Sequence, residues 1–76
     1  MKSLVEHIAK ALVDEPEEVR VTEQQDGDTI CLKLSVHPSD VGKVIGKQGR
    51  TAKAMRSLVY AAAVPMQKRV RLDIVD

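Results

Sequence analysis

Val41-Gly42-Lys43-Val44-Ile45-Gly46-Lys47-Gln48-Gly49-Arg50-Thr51-Ala52-Lys53 holds three of the chain's four glycines and opens its densest run of positive charge. Gly46 and Gly49 bracket two polar residues, Lys47 and Gln48. Val41, Val44 and Ile45 precede the pair at helical spacing; Ala52, Met55, Leu58, Val59 and Ala62 follow it with the same period. The pattern predicts a short helix, a glycine turn and a second helix. Glycine reaches positive φ without penalty and lets a foreign group approach the backbone closely. Just past the turn, the second helix exposes its unpaired N–H groups and the positive end of its dipole. Lys43, Lys47, Arg50 and Lys53 surround that point. Donors, dipole and cations converging on one spot suit a phosphate.

The charge distribution extends this reading. Residues 1–40 carry four Lys/Arg against nine Asp/Glu, a net of −5; residues 41–76 carry eight against two, a net of +6. No acid lies between Val41 and Leu72. One electropositive face for a polyanion is the expectation, with a merely solvated helix surface as the alternative. Seventy-six residues at 43% hydrophobic content suffice for one domain, residues 1–76, with a small core. The single Cys31 allows no internal disulfide framework and no cysteine cluster for zinc. Lys2, Glu6, His7 and Lys10 interrupt the apolar residues of the first thirteen, which argues against a signal peptide, and no run has transmembrane length. The expected location is cytoplasmic, away from membranes.

Elsewhere the elements follow from periodicity. Ser3-Leu4-Val5-Glu6 fits a capping box, and Leu4, Val5, Ile8, Ala11 and Leu12 form a helical stripe that ends before Pro16. Val19 and Val21 alternate with Arg20 and Thr22, predicting a short strand; Asp26-Gly27 signals a tight hairpin. Ile30, Leu32, Leu34 and Val36 then alternate with Cys31, Lys33, Ser35 and His37 in the clearest strand. Pro38-Ser39-Asp40 suits the start of the short helix. The second helix is expected from about Arg50 to Val64, closed by Pro65; Val70, Leu72 and Ile74 mark a last strand. The order α-β-β-α-α-β, with one apolar face per strand, predicts an α+β fold: a three-stranded mixed sheet with helices packed on one face.

The run Val44-Ile45-Gly46-Lys47-Gln48-Gly49-Arg50-Thr51 between two helices resembles the signature of a KH domain, and the element order resembles the bacterial type II KH domain. With Pro38-Ser39-Asp40 and Gly42 upstream, the chain resembles the small single-domain bacterial KH proteins of the KhpA (YlqC) family over essentially its whole length. KH domains clamp about four nucleotides of single-stranded nucleic acid with this loop. The resemblance implies single-stranded RNA as partner, with Gly46, Lys47, Gln48 and Gly49 on the backbone and Arg50, Lys43 and Lys53 extending the electrostatic contact. Val41, Val44 and the edge of the Ile30–Val36 strand would line the groove, with Ile45 in the core beneath the turn. It further implies a post-transcriptional regulator or RNA chaperone, and a homodimer or a heterodimer with a larger KH protein of the KhpB/Jag type. The chain departs from the family pattern at Ala52, where a larger aliphatic residue is usual; the groove or the core beneath it is then shallower or repacked.

Other chemistries fit less well. A Walker A loop needs a longer glycine spacing and a Ser/Thr after its Lys, and Gly42, Gly46 and Gly49 lack the dinucleotide spacing. His7 and His37 have no nucleophile or paired carboxylate nearby in sequence, so no catalytic site, metal, cofactor or small-molecule substrate is expected. Phe and Trp are absent and Tyr60 is alone, which disfavours RNA modules built on aromatic platforms. Tyr60 shares a helical stripe with Lys53 and Arg56; it is expected to be partly buried, with a nucleic-acid contact or a dimer interface as alternatives. The competing functions are a protein-interaction module and a ribosome-assembly accessory factor.

Overall fold

The computed structural model describes residues 1–75. Its elements are α1 (Lys2–Leu12), β1 (Arg20–Asp26), β2 (Thr29–Ser35), α2 (Val41–Ile45), α3 (Arg50–Ala63) and β3 (Arg69–Val75). Short 3₁₀ turns occupy Pro16–Glu18, Pro38–Asp40, Lys47–Gly49 and Val64–Met66. The sheet order is β1-β2-β3, with β1 antiparallel and β3 parallel to β2. This is the α+β architecture of a type II KH domain.

The alternation in β2 and β3 sets the core. Ile30 pairs with Val70 and Leu32 with Leu72, so both strands turn the same apolar set toward the helices. Leu32, Leu34, Leu72, Met55, Val5, Val44 and Val59 are fully buried. Full burial of such side chains stabilises the fold by roughly 1.5–3 kcal/mol each. Lys33, Arg69, Arg71 and Asp73 occupy the opposite, open face.

Several local expectations shift. The capping box does not form: α1 starts at Lys2 with Met1 at the cap, and Ser3 lies inside the helix. The α1 stripe rotates accordingly, burying Val5 and Ala9 while Ala11 and Leu12 are exposed. β1 runs on to Asp26, well past the Val19–Val21 alternation, because the hairpin ladder continues beyond the helices. The turn residues are Gly27-Asp28, between paired Asp26 and Thr29; Gly27 alone has positive φ (61°), the sign pattern of a type II′ turn. On α3 the buried stripe is Ala52, Met55, Val59 and Ala63, whereas Leu58 and Ala62 face outward. Both sets satisfy a helical period, and only packing against the sheet selects between them.

Candidate nucleic-acid interface

The turn between α2 and α3 is built on three unusual backbone conformations. Gly46 caps α2 at φ 77°, ψ 174°, a region almost restricted to glycine, while its N–H donates to the Gly42 carbonyl at 2.9 Å. A Cβ there would stand 2.3 Å from Thr51 Oγ1 and 2.9 Å from the Thr51 backbone nitrogen. Gly46 is therefore required twice, by its dihedrals and by the close approach of α3. Gly49 is left-handed at φ 73°, ψ 16°, but a Cβ on it would meet nothing within 4 Å. Gln48 also adopts positive φ (57°) despite its side chain. A left-handed residue after helical Lys47 turns successive N–H groups toward one concavity, an arrangement that binds anions.

The start of α3 adds donors to the same place. Its N-cap is Gly49, which has no side chain to cap the first-turn N–H groups, and that turn holds no acid. Lys47, Gln48, Arg50 and Lys53 are exposed, and none of the three cations forms an ion pair among the described residues. The loop thus presents backbone donors and unpaired positive charge together.

Lys43 is differently employed. Its ammonium bridges Asp14, in a short contact, and Asp40 at 3.3 Å. Asp40 is fully buried and also accepts the Glu15 N–H at 3.0 Å. Burial pushes the Asp40 carboxyl up, but the backbone N–H groups of Glu15 and Asp14 and the Lys43 ammonium together outweigh it and hold it below its ordinary range. The Asp14 contact and Asp40 in turn raise the Lys43 ammonium against its partial desolvation. Lys43 and Asp40 pin the chain after α1 to the start of α2, which fixes the angle at which α2 delivers the glycine turn. A helix-start acid was legible at Asp40; its long-range partner was not.

Three groove assignments change. Val44, expected to line the groove, is 0% exposed, and Ile45, expected in the core, is half-buried and lies outside the core cluster. Five residues of helix cannot fix their rotation by periodicity alone, and the adjacent apolar pair exchanged places. Val41 is half-buried at the core margin. The β2 edge is unavailable, since β2 is the central strand and is paired on both sides. The free edge beside α3 belongs to β3, where Arg56 Nε donates to the Leu72 carbonyl at 3.1 Å. Ala52 is buried on the inner face of α3. The Arg56 bond to Leu72 and the positive φ of Gln48 are the features that sequence reasoning missed, one because it depends on the strand order and the other because a two-residue turn does not announce its dihedrals.

A family model described as the KH domain of KhpA/KhpB matches residues 2–74. An RNA-binding protein KhpA from Halalkalibacterium halodurans is 68% identical over 76 residues, covering 100% of both chains. Proteins of the same name from Bacillus subtilis and Clostridium perfringens are 51% and 56% identical, covering 100% and 99% of this chain and 94% and 100% of their own. Among solved structures, a variant of Aquifex aeolicus Era bound to GDP and aluminium fluoride superposes with a TM-score of 0.68 at 20% identity, over 96% of this chain and 28% of that one. Era in complex with MgGDPNP and nucleotides 1506–1542 of 16S ribosomal RNA gives 0.65 at 18%, again with 96% and 28% coverage. At those identities the likeness to Era concerns the fold, and this chain spans little more than a quarter of it. The family model spans nearly the whole chain, full-length relatives share half or more of its residues, and the fold is independently of type II: the chain belongs to the KhpA/KhpB KH-domain family.

Proposed function

We propose that this protein is a non-catalytic, cytoplasmic RNA-binding protein that holds single-stranded RNA at the turn between α2 and α3. The carrying observation is the anion-binding turn itself: Gly46 and Gly49 at positive φ, uncapped N–H groups at the start of α3, and unpaired Lys47, Arg50 and Lys53. Gly46 to Gly49 contact the RNA backbone; Arg50 and Lys53 lengthen the track. Lys43 contributes field more than direct contact, because its ammonium is already engaged. Val41 and the free edge of β3 flank the bases. The relatives' name, RNA-binding protein KhpA, supports the same ligand. The role proposed for it is that of a post-transcriptional regulator or RNA chaperone.

Self-association, or pairing with a larger KhpB-type protein, is proposed alongside. Ala54, Leu58 and Ala61 are exposed on the flank of α3 turned away from β3, with Leu58 at 54%. Two copies would gain affinity for one strand through effective concentration.

The test is fluorescence anisotropy with short single-stranded RNA across a salt series, comparing wild type with the double variant Lys47→Asp/Gln48→Asp. Two anions in the turn should remove binding to all sequences while the fold persists, since both side chains are exposed. Undiminished affinity in a folded double variant would show that the RNA sits elsewhere.

A further inference from the structure

His37 stands at the joint where β2 turns into α2, and its ring is used there in one protonation state only. The 3₁₀ turn Pro38–Asp40 leads straight into α2, and His37 is the N-cap of that turn. His37 Nδ1 accepts the Ser39 N–H at 3.1 Å and lies 2.8 Å from Ser39 Oγ. The Asp40 N–H donates to the His37 carbonyl at 2.8 Å and closes the turn. A ring nitrogen that accepts a backbone N–H carries no proton, so this cap requires the neutral imidazole with its hydrogen on Nε2. The imidazolium is a donor at both nitrogens. Its Nδ1–H would keep a bond to Ser39 Oγ, now as donor, but would leave the Ser39 N–H without its acceptor.

The groups around the ring invite that proton. Glu15 and Glu17, on the chain after α1, hydrogen-bond each other through their carboxyls, which raises Glu15 and lowers Glu17, and a positive charge on His37 would draw both down. Asp40, three residues on, is a buried carboxylate that accepts the Glu15 N–H and meets the Lys43 ammonium. Arg20, from β1, spends its guanidinium on the Glu17 and Val19 carbonyls. Asp14, Glu15, Glu17 and Asp40 thus stand at this joint against Arg20 and Lys43, both already engaged. The same joint aims the glycine turn. α2 is five residues long, a rise of about 7.5 Å, so a shift at its start passes directly to Gly46.

We infer that His37 is a pH-responsive cap: the neutral ring holds the start of α2 in the orientation that binds RNA, and protonation releases Ser39 and weakens the grip of the glycine turn. The inference rests on the RNA-binding reading above. Binding then favours the form without the proton, so affinity falls as pH falls through the range in which histidine ordinarily gains charge, about 8 to 5. This is opposite to the general effect of acid, which adds positive charge and tightens the hold on a polyanion. The test is anisotropy with one short single-stranded RNA at fixed salt and at pH values of about 8, 7 and 6. It compares wild type with His37→Asn, which keeps a cap acceptor and does not titrate, and with His7→Asn, a control exposed on α1. Wild type and His7→Asn should lose about fivefold in affinity from the highest pH to the lowest, the order of one N-cap, and His37→Asn should lose none. In the RNA-free protein the Ser39 amide, followed by nuclear magnetic resonance, should titrate together with the His37 ring. A protein that binds no RNA at any pH refutes the RNA-binding reading and with it the link from cap to RNA, while the Ser39 amide still reports on the cap itself. A loss of affinity that persists in His37→Asn, or a Ser39 amide indifferent to the His37 titration, overturns the pH-responsive cap.

Discussion

Three glycines within eight residues should respond to alanine in three different ways. Gly46→Ala combines two penalties: a side chain in a nearly glycine-only region, about 1–3 kcal/mol, and overlap with Thr51, about 1–3 kcal/mol for a forced overpacking. The overlap is not escapable by a rotamer, since a Cβ would lie 2.9 Å from the Thr51 backbone nitrogen as well as against its side chain. The expected loss is about 4 kcal/mol, against a total of about 4–11 kcal/mol for a domain of this size. At about 4–8 °C per kcal/mol, Tm should fall by at least about 16 °C. Gly49→Ala meets no atom and carries only the left-handed penalty, about 1–2 kcal/mol. Gly42 lies inside α2 with open space where its Cβ would be, so Gly42→Ala should raise stability by about 0.5–1 kcal/mol. Urea unfolding followed by circular dichroism gives all three values. If Gly46→Ala costs no more than Gly49→Ala, the close approach of Thr51 is not what fixes the turn. If Gly42→Ala destabilises, the dihedral account of the series fails with it.

Other outcomes follow from the same contacts. Val44→Asn should destabilise by about 3–6 kcal/mol through lost apolar burial and an unsatisfied amide, whereas Ile45→Asn should cost under about 1.5 kcal/mol; equal losses in thermal melts would contradict the observed rotation of α2. Asp40 gives a pH signature. Its folded-state pKa is depressed, so its contribution is fully present above the unfolded value of about 3.9 and is lost as pH falls through the folded value. Acid unfolding of Asp40→Asn should therefore show a shallower loss of stability below about pH 4 than wild type; identical slopes would remove Asp40 from the tie between α1 and α2. Raised salt should weaken RNA binding with a log–log slope of about −0.7 for each phosphate neutralised, and Lys53→Ala should reduce that slope by about one contact. A slope unchanged by Lys53→Ala would take Lys53 out of the track.

The amino-acid sequence by itself determined the order α-β-β-α-α-β, the facing of β2 and β3, and the place of the glycine turn. Those features rest on local physics: a two-residue alternation has only one apolar face to bury, and glycines between two short helical periods supply the positive φ that the turn requires. Tertiary structure alone decided which of two helical stripes of α3 is buried, that Val44 and not Ile45 enters the core, and that β2 is central. It also decided that Lys43 is spent on Asp14 and Asp40, and that Arg56 reaches the Leu72 carbonyl at the free edge of β3. Each of these joins residues distant in the chain or chooses between rotations that periodicity leaves equivalent. Such choices are settled only when one element packs against another, because only then does one of two equally periodic faces lose its water.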